Sequence, residues 1–139
     1  MELQIINESN SADKKAVLNK LIAFNREHFP KELSDRYQEI NLILKKEDGV
    51  VYGGLLGEVC WNWLEVHILY VDEPLRKLGY GSKLLEEAEE LAKAKKCDFI
   101  KLDTLSFQAL DFYKKHGYEV YGTIDNAGGH QHYYLKKDL

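Results

Sequence analysis

Trp63 to Val71 is an apolar run of strand length, and it leads through Asp72-Glu73-Pro74-Leu75-Arg76-Lys77-Leu78-Gly79-Tyr80-Gly81-Ser82-Lys83 into the strongest helical pattern of the chain. Leu84, Leu85, Ala88, Leu91 and Ala92 fall on one face of that helix. Glu86, Glu87, Glu89 and Glu90 precede Lys93, Lys95 and Lys96 along it, the order the helix dipole favours, with Glu89 and Lys93 spaced for an i, i+4 pair. Phe99 to Thr104 is again a strand pattern. Strand, helix and strand in that order read as a βαβ crossover, whose two strands run parallel. The turn then lies at a strand's carboxyl end, where sheets of this kind hold ligands.

The composition of that turn says what it would hold. Gly79 and Gly81 remove side chains where backbone would approach a ligand, and the helix behind them aims unpaired N–H groups and its positive end at the same spot. Arg76, Lys77 and Lys83 add cations. The ligand predicted is a pyrophosphate. A dinucleotide fingerprint needs a third glycine where Leu84 stands, and a Walker A loop needs Gly-Lys-Ser/Thr where the order is Gly81-Ser82-Lys83.

At 139 residues the chain has the length of one domain, and 45% hydrophobic with 30% charged residues is a globular composition. The formal charge of −4 argues against a general nucleic-acid binder. Met1 to Lys20 lacks a continuous apolar segment of the secretory type, and no stretch reaches the length of a membrane span, so a cytoplasmic protein with no membrane partner is expected. Cys60 and Cys97 fall in strand patterns and suit reduced thiols.

Along the rest of the chain, Leu3 to Asn7 is expected as a first strand, followed by cap candidates Ser9, Asn10 and Ser11. Ala16, Val17, Leu18, Leu21, Ile22 and Phe24 give a helix that Pro30 ends, and residues 31–38 form a loop or a short second helix. Asn41 to Lys46 and Val50 to Trp61 are strands joined at Lys46-Glu47-Asp48-Gly49, and a turn near Asn62 leads to Trp63. Ser106 or Thr104 caps a helix through Tyr113 that Gly117 stops, and a hairpin of Tyr118 to Ile124 and His130 to Leu135 follows. On the Trp63 strand, Glu65 and His67 share a face, with Leu64, Val66 and Ile68 on the other. His130 and His132 also share a face, without a Cys or carboxylate spaced to complete a metal site; they line a pocket or face solvent.

Arg76, Gly79 and Gly81 match the Gln/Arg-x-x-Gly-x-Gly/Ala signature of the GNAT superfamily, the acyl-CoA-dependent N-acetyltransferases, and the turn resembles theirs in joining a strand to a helix. In that family a later helix ends Phe/Leu-Tyr-x-x-x-Gly-Phe/Tyr, and Ala109, Phe112, Tyr113, Gly117 and Tyr118 stand at that spacing. The stretch from Thr104 to Tyr113 resembles one group of small bacterial-type members whose acceptors are mostly undefined. The resemblance covers about residues 42–139 and weakens upstream.

The resemblance implies a single α/β N-acetyltransferase domain over residues 1–139. Its sheet would be mixed and mostly antiparallel, with a central β-bulge region, a splayed parallel pair at the cofactor cleft and flanking helices. It implies acetyl-CoA as cosubstrate, no metal, and direct transfer to a primary amine of a small molecule or peptide; it leaves a homodimer open. The backbone of Arg76, Lys77, Leu78, Gly79, Tyr80, Gly81 and Ser82 would carry the pyrophosphate, and that of Leu69 and Val71 would pair with the pantetheine arm. Ser106 stands where many members place an asparagine, so Ser106 or Gln108 would meet an amide of that arm. Tyr113 matches the tyrosine that donates to the departing thiolate, and a Glu on the Trp63 strand often serves as base, which makes Glu65 the first candidate and His67 the second. A non-catalytic acyl-CoA-binding or sensing module would keep the turn but need neither Glu65 nor Tyr113.

Overall fold

The computed structural model describes residues 1–139, which fall into two compact units, Met1–Asp35 and Arg36–Leu139. In the first, helix α1 (Ser11–Arg26) starts at Asn10, whose Oδ1 accepts the N–H groups of Ala12 and Asp13 at 3.0 and 3.2 Å. Beyond Pro30 the chain forms turns, with the Pro30 carbonyl accepting from Leu33 and Ser34, and not a second helix. The strand expected at Leu3 to Asn7 does not form. A lone extended segment gains nothing unless its backbone groups find a ladder, and this unit contains no other strand.

The second unit runs β1 (Tyr37–Lys45), β2 (Val51–Cys60), β3 (Trp63–Val71), α2 (Tyr80–Ala94), β4 (Phe99–Leu105), α3 (Leu110–Lys115), β5 (Glu119–Ala127) and β6 (His130–Asp138). The sheet order is β1-β2-β3-β4-β6-β5. Only β3 and β4, the strands joined through α2, are parallel; the other pairs are antiparallel, which is the mixed sheet the motifs implied. Gly49 closes the first hairpin at φ 91°, its N–H on the Lys46 carbonyl. Leu84, Leu85, Ala88 and Ala92 of α2 are buried in one cluster with Leu55, Leu64, Val66, Ile100, Leu102 and Leu135 of the sheet. Each such leucine removed from water stabilises the fold by roughly 1.5–3 kcal/mol.

Glu89 does not pair with Lys93: it is buried on the inner side of α2 and binds Lys137 of β6, Nζ to the two carboxylate oxygens at 2.8 and 3.1 Å, while Lys93 meets Glu90 at 3.6 Å. The strict alternation along β3 also fails. Gly57 lies opposite Val66 but Leu56 lies opposite Ile68, so His67 is an extra residue and the strand bulges there. The inward series Leu64, Val66 therefore continues as Leu69, Val71, and Ile68 is left exposed. A Cβ at Gly57 would stand 2.3 Å from the Glu65 carbonyl oxygen, so glycine is what lets β2 close on the bulge.

Candidate active site

The bulge matters because pairing between β3 and β4 stops beside it. Trp63, Leu64 and Glu65 register with Phe99, Ile100 and Lys101; beyond them the strands part, and Leu69 has no partner on the β4 side. The Gly79 turn stands at the end of β3. After one tight turn at Glu73–Leu75, Lys77 and Gly79 take φ values of 69° and 89°, a region that glycine enters without the Cβ penalty of ~1–2 kcal/mol. The first bond within α2 runs from the Lys83 N–H to the Gly79 carbonyl, leaving the N–H groups of Tyr80, Gly81 and Ser82 unpaired at the helix start.

The two glycines do different work. A Cβ at Gly79 would meet nothing within 4 Å, so open space begins at that residue. At Gly81 it would make ordinary van der Waals contact with the Phe112 ring, 3.4 Å away, so a side chain there would face α3 and not open space. Arg76 is drawn back from the turn: its Nε donates to the Val71 carbonyl at 2.8 Å and its guanidinium lies over the Tyr70 ring. That carbonyl therefore already has a partner. Lys83 lies over the Tyr80 ring, and Leu78 is exposed.

On the far side of the opening, α3 starts later than the pattern suggested. Thr104 Oγ1 accepts the Ala109 N–H, and the Gln108 side-chain oxygen accepts from the Leu105 N–H at 2.7 Å. The Ser106 hydroxyl accepts from the Gln131 N–H. Of the two residues expected to meet an amide, Ser106 is thus tied to β6, and Gln108 keeps its NH2 group free to donate. The predicted end holds, with His116 Nδ1 at the Phe112 carbonyl and Gly117 at φ 90°. Tyr113 is buried, edge-on to Phe112 and Tyr118, and no protein group takes its hydroxyl. Burial, helped by the nearby Asp103 carboxylate, pushes its phenol up to about 12.

The opening itself is lined by Glu65 and His67 of β3, Lys101 and Asp103 of β4, and Tyr121 and Tyr134 of the β5–β6 hairpin. Glu65 Oε1 accepts from the Trp63 indole N–H at 3.4 Å and meets Lys101 Nζ at 3.2 Å. Trp63 also stacks on Phe99 beside the opening. His67 bridges two carboxylates, with Nε2 3.4 Å from Glu58 and Nδ1 3.9 Å from Glu65. Burial alone would push Glu58 up, but hydrogen bonds from the Tyr37 hydroxyl and the Cys60 thiol, together with His67, hold it below the usual range. Cys60 and Cys97 are both free. His132 turns to Asp103, whereas His130 is exposed against Phe107.

Sequence reasoning missed Glu58, though a signal existed. A two-residue turn at Trp61-Asn62 pairs Cys60 with Trp63, and counting back puts Glu58 opposite Glu65. Asp103, Tyr121 and Tyr134 had no such signal, because their meeting depends on how β6 inserts between β4 and β5.

The sequence matches the acetyltransferase (GNAT) family model over residues 13–118. The chain belongs to that family, and it is an acetyltransferase. It is 32% identical over 124 residues to an acetyltransferase of Agrobacterium fabrum, covering 89% of this chain and 88% of the relative. Over 95 residues it is 39% identical to the blasticidin-S acetyltransferase of Streptomyces morookaense, covering 67% of this chain and 70% of that one. A solved acetyltransferase from Bacillus cereus is 39% identical and superposes with a TM-score of 0.87, covering 98% of each chain.

Proposed function

We propose that residues 1–139 act as one domain that transfers an acetyl group from acetyl-CoA directly to a primary amine of a small molecule or peptide, in the cytoplasm. The observation that carries this reading is the parting of β3 and β4 after Glu65 and Lys101, with the Gly79 turn at the end of β3 and the Glu65–His67 wall in the opening. The likeness to a blasticidin-S acetyltransferase supports a small-molecule acceptor.

Acetyl-CoA would supply the acetyl thioester. The open space at Gly79 and the free N–H groups of Tyr80, Gly81 and Ser82 suit its pyrophosphate, with Lys77 and Lys83 as nearby cations. The free backbone edge at Leu69 and the Gln108 amide suit its pantetheine arm. An amine of pKa ~10.4 is neutral in only about one molecule in ~10³ at pH 7, a cost of roughly 4–5 kcal/mol if no base assists. Glu58 and Glu65 draw the ammonium to the β3 wall, and His67, touching both, receives its first proton, with Glu65 as the alternative. Tyr113 stays protonated at every working pH and donates to the thiolate.

The test is acetyl-CoA calorimetry followed by CoA release with a panel of primary amines. Binding and turnover are expected. Binding without turnover on any amine would leave a sensing module, and no binding at millimolar acetyl-CoA would remove the reading altogether.

A further inference from the structure

Facing the β3 wall, the other side of the opening carries three groups in a chain. Asp103 Oδ2 lies 2.7 Å from His132 Nε2, and the other ring nitrogen, Nδ1, lies 3.3 Å from the Tyr134 hydroxyl. An ionised carboxylate only accepts, so Asp103 fixes the imidazole proton on Nε2 and leaves Nδ1 as an acceptor. Tyr134 O–H then donates to Nδ1 and keeps an oxygen lone pair. The chain is also held by packing: the His132 and Tyr134 rings are 4.5 Å apart between centroids, and Asp103 and Tyr134 are register partners on β4 and β6. From β5, the residue opposite His132 is the uncharged Ile124, and Tyr121 lies against Tyr134. Asp103 and Tyr134 both line the opening.

The β3 wall is built differently. Glu65 is occupied by Lys101 and Trp63, and both nitrogens of His67 face carboxylates, so this wall has room for the one proton that His67 takes. A transferred amine must lose two protons, and this wall provides for one. We propose that Tyr134, oriented by the Asp103–His132 pair, takes the second proton, which the acceptor nitrogen sheds as it becomes an amide. The proposal rests on the acetyltransferase reading above. In the step, the N–C bond forms and the thioester C–S bond breaks. One N–H proton passes to the Tyr134 oxygen while the proton of Tyr134 passes to His132 Nδ1, and the thiolate takes the proton of Tyr113. His132, then a cation against Asp103, returns its proton to water, and Tyr113 regains one from water.

The test compares wild type with Tyr134→Phe, His132→Gln and Asp103→Asn, using CoA release with putrescine, L-lysine and tyramine as probe amines. Tyr134→Phe should lower kcat by about 10²-fold with the KM for acetyl-CoA unchanged, and Asp103→Asn should lower it in the same sense by freeing the wrong tautomer. The acid limb of the kcat profile should shift or vanish in His132→Gln. If Tyr134→Phe does not fold, Asp103→Asn and His132→Gln read the same chain. Wild-type kcat in Tyr134→Phe, or an acid limb unchanged in both other variants, overturns the proposal while leaving the transferase reading intact. A wild-type protein that binds acetyl-CoA but turns over none of the three amines overturns both.

Discussion

Glu58 and Glu65 stand directly opposite each other on β2 and β3, with His67 in reach of both carboxylates. Like charges in that position destabilise a ladder by roughly 0.2–1 kcal/mol unless a cation is shared. Here Lys101, the Trp63 indole, the Tyr37 hydroxyl and the Cys60 thiol all serve the pair. No demand of the core requires two acids at these positions, and the pair faces the opening through Glu65.

Glu58 carries a pH signature of that arrangement. Its folded pKa lies below the unfolded value, so its stabilising contribution is full above the unfolded value, near ~4.3, and is lost as pH falls through the folded one. Wild type should therefore lose more stability than Glu58→Gln between pH 5.5 and pH 3. Urea midpoints at the two pH values measure this, and equal losses would mean that its hydrogen bonds do not hold Glu58 charged.

Tyr113→Phe keeps the buried ring and removes only the hydroxyl, which no protein group holds. Turnover should fall by about 10²-fold while acetyl-CoA affinity stays within a factor of two or so. Because burial holds the phenol at about 12, the wild-type donor should remain protonated, and the kcat profile should show no alkaline loss from it up to pH 10. Equal turnover in the two proteins would return Tyr113 to packing alone.

Much of this was legible in local pattern. The crossover from Trp63 through α2 to Phe99 follows from periodicity and one glycine turn, and the parallel pair follows from the crossover. The bulge at His67 was not legible residue by residue, because alternation continues through it on paper; only the close approach at Gly57 marks it. Glu89 misled for a related reason. Helical spacing offered Lys93, but the helix turned Glu89 inward, where Lys137 from the last strand was the partner within reach. Side chains brought together by distant strands, such as Asp103, His132 and Tyr134, leave no local trace.

The two turn glycines should answer differently to the same added methyl. Gly79→Ala puts a Cβ on a residue at φ 89°, which costs ~1–2 kcal/mol, and places it in the open space assigned to the pyrophosphate. Gly81→Ala meets only the Phe112 ring at 3.4 Å and gains helix propensity, so its stability should stay within about 1 kcal/mol of wild type. Acetyl-CoA affinity, read by calorimetry, should fall about tenfold or more in Gly79→Ala and clearly less in Gly81→Ala. The reverse order would move the phosphate site away from Gly79.

The Glu89–Lys137 pair predicts an asymmetry in stability. The Glu89 side chain is only 8% exposed, whereas that of Lys137 is 31% exposed and lies along Gly117 and the Tyr118 ring, from which it can swing out. Lys137→Met should therefore cost more than Glu89→Leu, about 3 kcal/mol against about 1–2 kcal/mol, because an unpaired buried carboxylate is the worse outcome. The double variant should recover most of the loss, since an apolar pair of similar volume carries no desolvation penalty. Urea unfolding of the three proteins measures the cycle. Equal single losses that simply add in the double variant would show that the pair contributes through packing and not through charge.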